Sequence, residues 1–179
     1  MNIVVVGAGE VGYHICQTLS DRGHHVTVIE NSPTVATDVE ENLNVRVISG
    51  SGVSASLLQK AEVSDCDFFM ALTSDDRTNL LACSLSKAIG ARTNIARIHD
   101  QTYADNSIVN YQLHFGIDYL LNPEALCDIE LAKFIRNPGR VAVQNFARGK
   151  IEVLVVTVSK RSIHLNKSLK DIDIDKHVR

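Results

Sequence analysis

The chain has 179 residues, enough for one sound core, or for one domain and part of another. A net charge of −3, the lack of Lys/Arg blocks, no tryptophan and 5% aromatic residues argue against nucleic acid as a partner. Apolar runs are short: the longest, Val153 to Val158, includes a threonine and falls far below the roughly 20 residues of a membrane span.

From the amino end, short apolar runs alternate with helical patterns. Strands are expected at Ile3–Val6, Val26–Glu30, Val45–Ser49, Phe68–Leu72, Asn94–Ile98 and Tyr119–Leu121, each a run suited to a parallel strand covered on both faces. Between the first two, Val11 to Arg22 carries Val11, Ile15 and Leu19 at helical spacing and stops near Gly23. Ser32-Pro33 reads as an N-cap with proline at the first helical position. Ser74 and Asp75 are expected to cap a helix reaching Gly90, with Leu81, Leu85 and Ala88 on its inner stripe. Six βα-alternating strands imply an α/β fold: a Rossmann-type doubly wound parallel sheet in the order 3-2-1-4-5-6.

After Leu121 the pattern changes. Asn122-Pro123-Glu124 opens a helix through about Arg136, ended by Asn137-Pro138-Gly139. Its apolar residues Leu126, Ile129, Leu131, Ala132, Phe134 and Ile135 wrap more than one face. Such a helix packs either against two bodies or deeply within its own domain. Val141–Ala147, Arg148-Gly149 and Lys150–Ser159 read as a hairpin, and the polar stretch from Ser168 tapers out. About 40 residues are too few for an independent core, so this part reads as the start of a second α+β module. The first residues are already a strand, with no basic segment before an apolar stretch, so no signal peptide is expected and the protein reads as cytoplasmic. Cys16, Cys66, Cys83 and Cys127 lack CxxC spacing and read as reduced thiols.

The chemistry concentrates at the first turn. Gly7-Ala8-Gly9-Glu10-Val11-Gly12 follows an apolar strand and opens an amphipathic helix. Gly7 permits the tight turn, Gly9 the approach of a pyrophosphate, and Gly12 close helix–strand packing. The phosphates would face the free N–H groups of the helix. Glu30, ending the next strand, is expected to accept from ribose hydroxyls and to repel a 2′-phosphate, favouring NAD or NADH over the NADP forms. Gly50-Ser51-Gly52 and Thr73-Ser74-Asp75-Asp76 leave strands at the same edge. They are candidates for the adenine side and for the phosphates or distal ribose, with ordinary turns and caps as the plain alternative. Arg97 ends the fifth strand there and would meet phosphate or form a surface ion pair. The histidines show no metal spacing; His24-His25 lie at the wrong edge, and His99 reads as a loop residue near the ligand edge. Without an acid–base constellation, GxSxG, HExxH or P-loop, the nucleotide is expected to be a ligand rather than a reactant, and a small NAD-dependent dehydrogenase is the rival reading.

Met1 to Gly12, Ala71 to Leu80, Ile95-Ala96-Arg97-Ile98 and Leu121-Asn122-Pro123-Glu124 together closely resemble the TrkA proteins of the RCK (KTN) family, and Val143 to Lys150 resembles the start of their next module. The resemblance implies a cytoplasmic NAD-binding regulatory subunit of a Trk-type potassium uptake system, peripheral on the inner face of the membrane through its partner. It implies a Rossmann domain over 1–122, a crossover helix and linker over 123–140 involved in dimer contacts, and a partial C-terminal ligand-sensing module over 141–179. It also implies a homo-oligomer, a dimer or a tetramer of such domains. Its nucleotide site maps onto Gly7, Gly9, Glu10 and Gly12, with Ala8 and Val11 between them. Glu30 maps to the ribose, Ser51 beside the adenine, Thr73, Ser74 and Asn79 near the far half, and Arg97 near phosphates. Many relatives carry aspartate where Ser51 stands. The ATP-gated branch carries arginine where Glu10 stands, so Glu10 weighs toward NAD(H), with ATP or ADP as competing ligands.

Overall fold

The computed structural model describes residues 1–136, 140–146 and 151–156, with isolated positions 160, 162, 165, 167 and 168. The chain divides into two compact units, Met1–Ala125 and Leu126–Arg179.

In the first unit strands and helices alternate as the apolar pattern requires: β1 (Asn2–Val6), α1 (Glu10–Asp21), β2 (His25–Glu30), α2 (Pro33–Asn42), β3 (Arg46–Ser49), α3 (Ala55–Lys60), β4 (Phe68–Ala71), α4 (Asp76–Ile89), β5 (Thr93–Arg97), α5 (Tyr111–His114) and β6 (Tyr119–Leu121). The expected strands are present, within one residue at each end. They form a six-stranded sheet in the order β3-β2-β1-β4-β5-β6, all neighbours parallel, so the expected Rossmann-type order is borne out. Short α3 and α5 fill the β3–β4 and β5–β6 connections, where the alternation expects helices but the sequence sets no bounds for them.

Alternation along β1 builds the two cores. Val4 and Val6 turn to one face, where Leu58, Phe69, Leu80 and Cys83 are buried; Ile3 and Val5 turn to the other, with Cys16, Val28 and Val39. Each fully buried Val, Ile or Phe contributes about 1.5–3 kcal/mol by area transfer. Register then sets the site. Val6 pairs with Ile29 and Ala71, Glu30 with Ser49, and Ala71 with Ala96. The residues that follow these pairs therefore leave the sheet at one edge, at nearly one level.

The inner face of α4 differs from expectation. Leu81 is 45% exposed, Ala88 is exposed and Leu85 only half-buried; the buried residues are Asn79, Leu80, Ala82, Cys83 and Ser86. Small side chains let the helix lie close to the sheet, and its buried polar ones are satisfied locally, Ser86 Oγ donating to the Cys83 carbonyl at 2.8 Å. In α1, Gly12 and Cys16 are buried and Ile15 and Leu19 pack beside them, but Val11 is 37% exposed. Ser32 does stand at the N-cap of α2, yet its hydroxyl meets that of Thr34 and makes no cap bond. Asp75 caps α4 by accepting from Thr78 N–H at 2.9 Å, and the Thr78 hydroxyl and N–H hold its carboxyl below the usual value.

The amino edge is tied by paired charges. Asp118 accepts from Asn94 N–H at 2.9 Å and from the Lys87 ammonium at 3.0 Å, while its own N–H donates to Asn94 Oδ1. Burial works against its charge, but these donors outweigh it and its carboxyl lies below the usual value. Burial also pushes the thiols of Cys16 and Cys83 up to about 12 and that of Cys66 to about 11, whereas Cys127 is exposed.

α6 (Pro123–Arg136) begins in the first unit and continues into the second, with Leu126, Ile129, Leu131 and Ile135 all more than half exposed. The second unit also contains an antiparallel pair, β7 (Arg140–Phe146) and β8 (Ile151–Val156), with Phe146 opposite Ile151. The expected helix stop at 137–139, the turn at Arg148-Gly149, the strand end toward Ser159 and the tail past 168 lie outside the described residues. No helix among the described residues is long and apolar enough to cross a membrane.

Candidate nucleotide-binding site

At the carboxyl edge a concavity of about 460 Å³ opens between the exits of β1, β2, β3, β4 and β5. Its walls include Gly7, Gly9, Glu10, Val11, Glu30, Ser51, Thr73, Ser74 and Arg97. Nine of the twelve residues singled out by sequence thus meet around one hollow, while Ala8, Gly12 and Asn79 lie behind its surface.

The glycine loop owes its shape to contacts that a side chain would prevent. Gly7 has φ +88°, and a Cβ there would lie 2.8 Å from Thr73 Cγ2. A Cβ on Gly12 would lie 2.0 Å from the Gly7 carbonyl oxygen, so only glycine brings α1 this close to the turn. Gly9 faces open space, and α1 starts behind it: the first intrahelical bond runs from Tyr13 N–H to the Gly9 carbonyl. The N–H groups of Glu10, Val11 and Gly12 precede that bond and point along the positive end of the helix. This is the geometry that accepts phosphate oxygens.

Glu30 closes the loop from the other side. Its carboxylate accepts from Ala8 N–H at 2.6 Å and from Ser32 N–H at 2.7 Å, one on each oxygen. These bonds fix the glycine turn and the start of α2, and each oxygen keeps acceptor capacity for a hydroxyl. Ser51 is exposed beside it, in a turn whose Gly50 N–H donates to the Glu30 carbonyl.

On the β4–β5 side, Thr73 and Arg97 line the hollow. Among the described residues Arg97 Nε is buried without a hydrogen-bond partner. A buried guanidinium N–H left unpaired is costly, and a phosphate or ribose oxygen would satisfy it. Asn79 is wholly buried and touches the concavity only through neighbours: its amide holds the Thr73 backbone and the Arg97 carbonyl. The hollow therefore fits a pyrophosphate between two ribosyl groups: helix N–H groups at the centre, a carboxylate on one flank and a guanidinium on the other.

Several residues that the sequence marks only as members of a candidate loop, a loop histidine or a helix opening act as supports of the site. Asp76 accepts from the N–H groups of His99 and Asp100, holding the exit of β5 to the first turn of α4. His99 Nδ1 meets Glu124 Oε1 at 2.8 Å, and the Glu124 carboxyl is held below its usual value by its own N–H and by the His99 ring. Asn122 donates to the His99 carbonyl and accepts from Ala125 N–H, capping α6. An acid in the first turn of a helix, level with the next strand's exit, is the signal that marks Asp76. His24 and His25 line a separate hollow of about 560 Å³ at the amino edge.

Residues 3–123 match the TrkA-N domain family. The chain is 34% identical over 178 residues to a Trk system potassium uptake protein TrkA homolog of Archaeoglobus fulgidus, covering 99% of this chain and 40% of that protein. Among solved structures, the TrkA-N domain of the inner membrane protein ybaL from Escherichia coli superposes with a TM-score of 0.67 at 19% identity, over 75% of this chain and 96% of that one. The GsuK channel bound to NAD gives a TM-score of 0.67 at 19% identity, over 81% of this chain and 25% of that one. The matched span runs from β1 to the start of α6 and so contains every residue of the carboxyl-edge hollow; the chain belongs to the TrkA-N domain family.

Proposed function

We propose that this chain is a regulatory subunit that binds NAD or NADH at the carboxyl edge of its sheet, as a ligand rather than a reactant, and controls a Trk-type potassium transporter. The observation that carries the reading is the pairing, around one hollow, of free helix N–H groups with an unpartnered Arg97 Nε opposite Glu30. The first would hold the pyrophosphate, Arg97 the phosphate or distal ribose, and Glu30 with Ser51 the adenosine end. Glu10 stands exposed at the rim, where its charge would repel a terminal phosphate; ATP and ADP are weaker competitors.

In this reading residues 1–122 form the nucleotide domain, 123–140 a crossover helix and linker, and 141–179 part of a C-terminal module. The exposed Leu126, Ile129, Leu131 and Ile135 of α6 support a homo-oligomer, a dimer assembling toward a tetramer of such domains. The TrkA names of the relatives support a potassium-translocating membrane partner, with this chain cytoplasmic and peripheral on the inner face. For control, the two ligand states must bind the two conformations of the assembly with different affinity, since equal affinity shifts no population. Titration calorimetry with NADH, NAD, ADP and ATP is the test. Binding of NADH or NAD at submillimolar concentration, tighter than ATP, is expected; no heat from any of the four at millimolar concentration overturns the reading.

A further inference from the structure

The Asn79 side chain spends its whole hydrogen-bonding capacity on two residues of the hollow's far wall. Its Oδ1 accepts from Thr73 N–H at 2.9 Å and from the Thr73 hydroxyl at 2.7 Å; its Nδ2 donates to the carbonyls of Thr73 and Arg97, both at 2.9 Å. The backbone partners fix the amide's orientation, because an N–H can only donate and the two carbonyls can only accept. Oδ1 is thus the oxygen, and the Thr73 hydroxyl must give its proton to it. A second acceptor, the Asp75 carbonyl, is farther away at 3.2 Å, and Asp75 N–H donates back to the hydroxyl at 3.2 Å. Toward the hollow, Thr73 Oγ1 therefore presents a lone pair and no proton.

We propose that Asn79 is a positioning residue that sets the polarity of the distal subsite: it makes Thr73 an acceptor and holds the exit of β5 so that Arg97 presents a donor beside it. The deduction rests on the reading of this hollow as a nucleotide site, and it names the chemistry of the ligand's far half. A group that both donates a hydroxyl or amide proton and offers an oxygen fits there, as a second ribosyl unit does. A terminal phosphate offers acceptors only and meets the Thr73 lone pair unfavourably. At Thr73 itself this polarity favours a ribosyl hydroxyl over a terminal phosphate, independently of Glu10 at the rim. Asn79 does this from full burial, without touching the ligand.

The test compares NADH with AMP by titration calorimetry on the whole chain, AMP lacking the far half. Asn79→Ala is expected to weaken NADH by about tenfold, one lost hydrogen-bonded arrangement, and to leave AMP within about twofold. Thr73→Val should reproduce that selective loss, Thr73→Ser should restore NADH binding, and Asn79→Ala combined with Thr73→Val should lose little more than either alone. Equal weakening of both ligands by Asn79→Ala, or unchanged NADH binding in Thr73→Val, overturns the inference. If Asn79→Ala does not fold, the Thr73 pair decides the matter alone. Failure of the unaltered chain to bind either ligand would instead overturn the nucleotide reading itself.

Discussion

At its amino edge the sheet carries a hollow of about 560 Å³, and at its carboxyl edge one of about 460 Å³. The larger is the less equipped. Of the polar groups lining the amino-edge hollow, the Asn2 N–H donates to Asp67, and Arg46 donates to the Lys60 carbonyl and pairs with Glu62. At the carboxyl edge the glycine turn exposes the start of α1, and Arg97 Nε has no partner among the described residues. Volume does not mark a site here; unspent hydrogen-bonding capacity does. Parallel strands put that capacity at one edge, where helices begin rather than end.

Substitutions at the two edges can break or sharpen that contrast. Gly12→Val should have the largest effect, because its Cβ would lie 2.0 Å from a backbone oxygen that cannot move aside cheaply. Loss of about 3 kcal/mol in urea unfolding is expected, with NADH binding abolished. Arg97→Ala should weaken NADH by about 10- to 100-fold in calorimetry while leaving the melting temperature within a few degrees, as expected for a donor whose Nε has no partner among the described residues. Retained affinity in that variant would remove the distinction between the edges.

Asp118→Asn tests the amino edge for stability instead of binding, with an expected loss of about 1 kcal/mol at neutral pH and no change in NADH affinity. Because folding lowers the Asp118 pKa, its contribution is full above the unfolded value and fades as pH falls through the lower, folded one. The gap between variant and parent should therefore close in acid, which chemical unfolding at stepped pH would reveal. His25→Ala should do least: within about 0.5 kcal/mol in stability, and no effect on NADH, despite lining the larger hollow.

Strand order was legible because βα alternation leaves few right-handed topologies, and the glycine loop because each glycine answers a steric demand. The face of α4 was not. Helical periodicity directs attention to Leu81 and Leu85, whereas the close approach to the sheet is made by Ala82, Cys83 and Ser86, whose small side chains give little hydropathy signal. Asn79 was legible as a position, through resemblance, but its role depends on partners at Thr73 and Arg97 that become neighbours only across two strands. Glu30 shows the same limit: its spacing from the glycines points to ribose, while its bonds to Ala8 and Ser32 appear only in three dimensions.

The buried cysteines give the first unit a built-in clock. With Cys16, Cys66 and Cys83 enclosed and their thiols held protonated, an alkylating reagent reaches them only when the sheet opens, while exposed Cys127 reacts at once. Mass spectrometry of a timed labelling reaction would then show one fast adduct followed by three slow ones. The slow rate reads how often the fold comes apart, and a bound ligand that lengthens it reports its own affinity without any added probe.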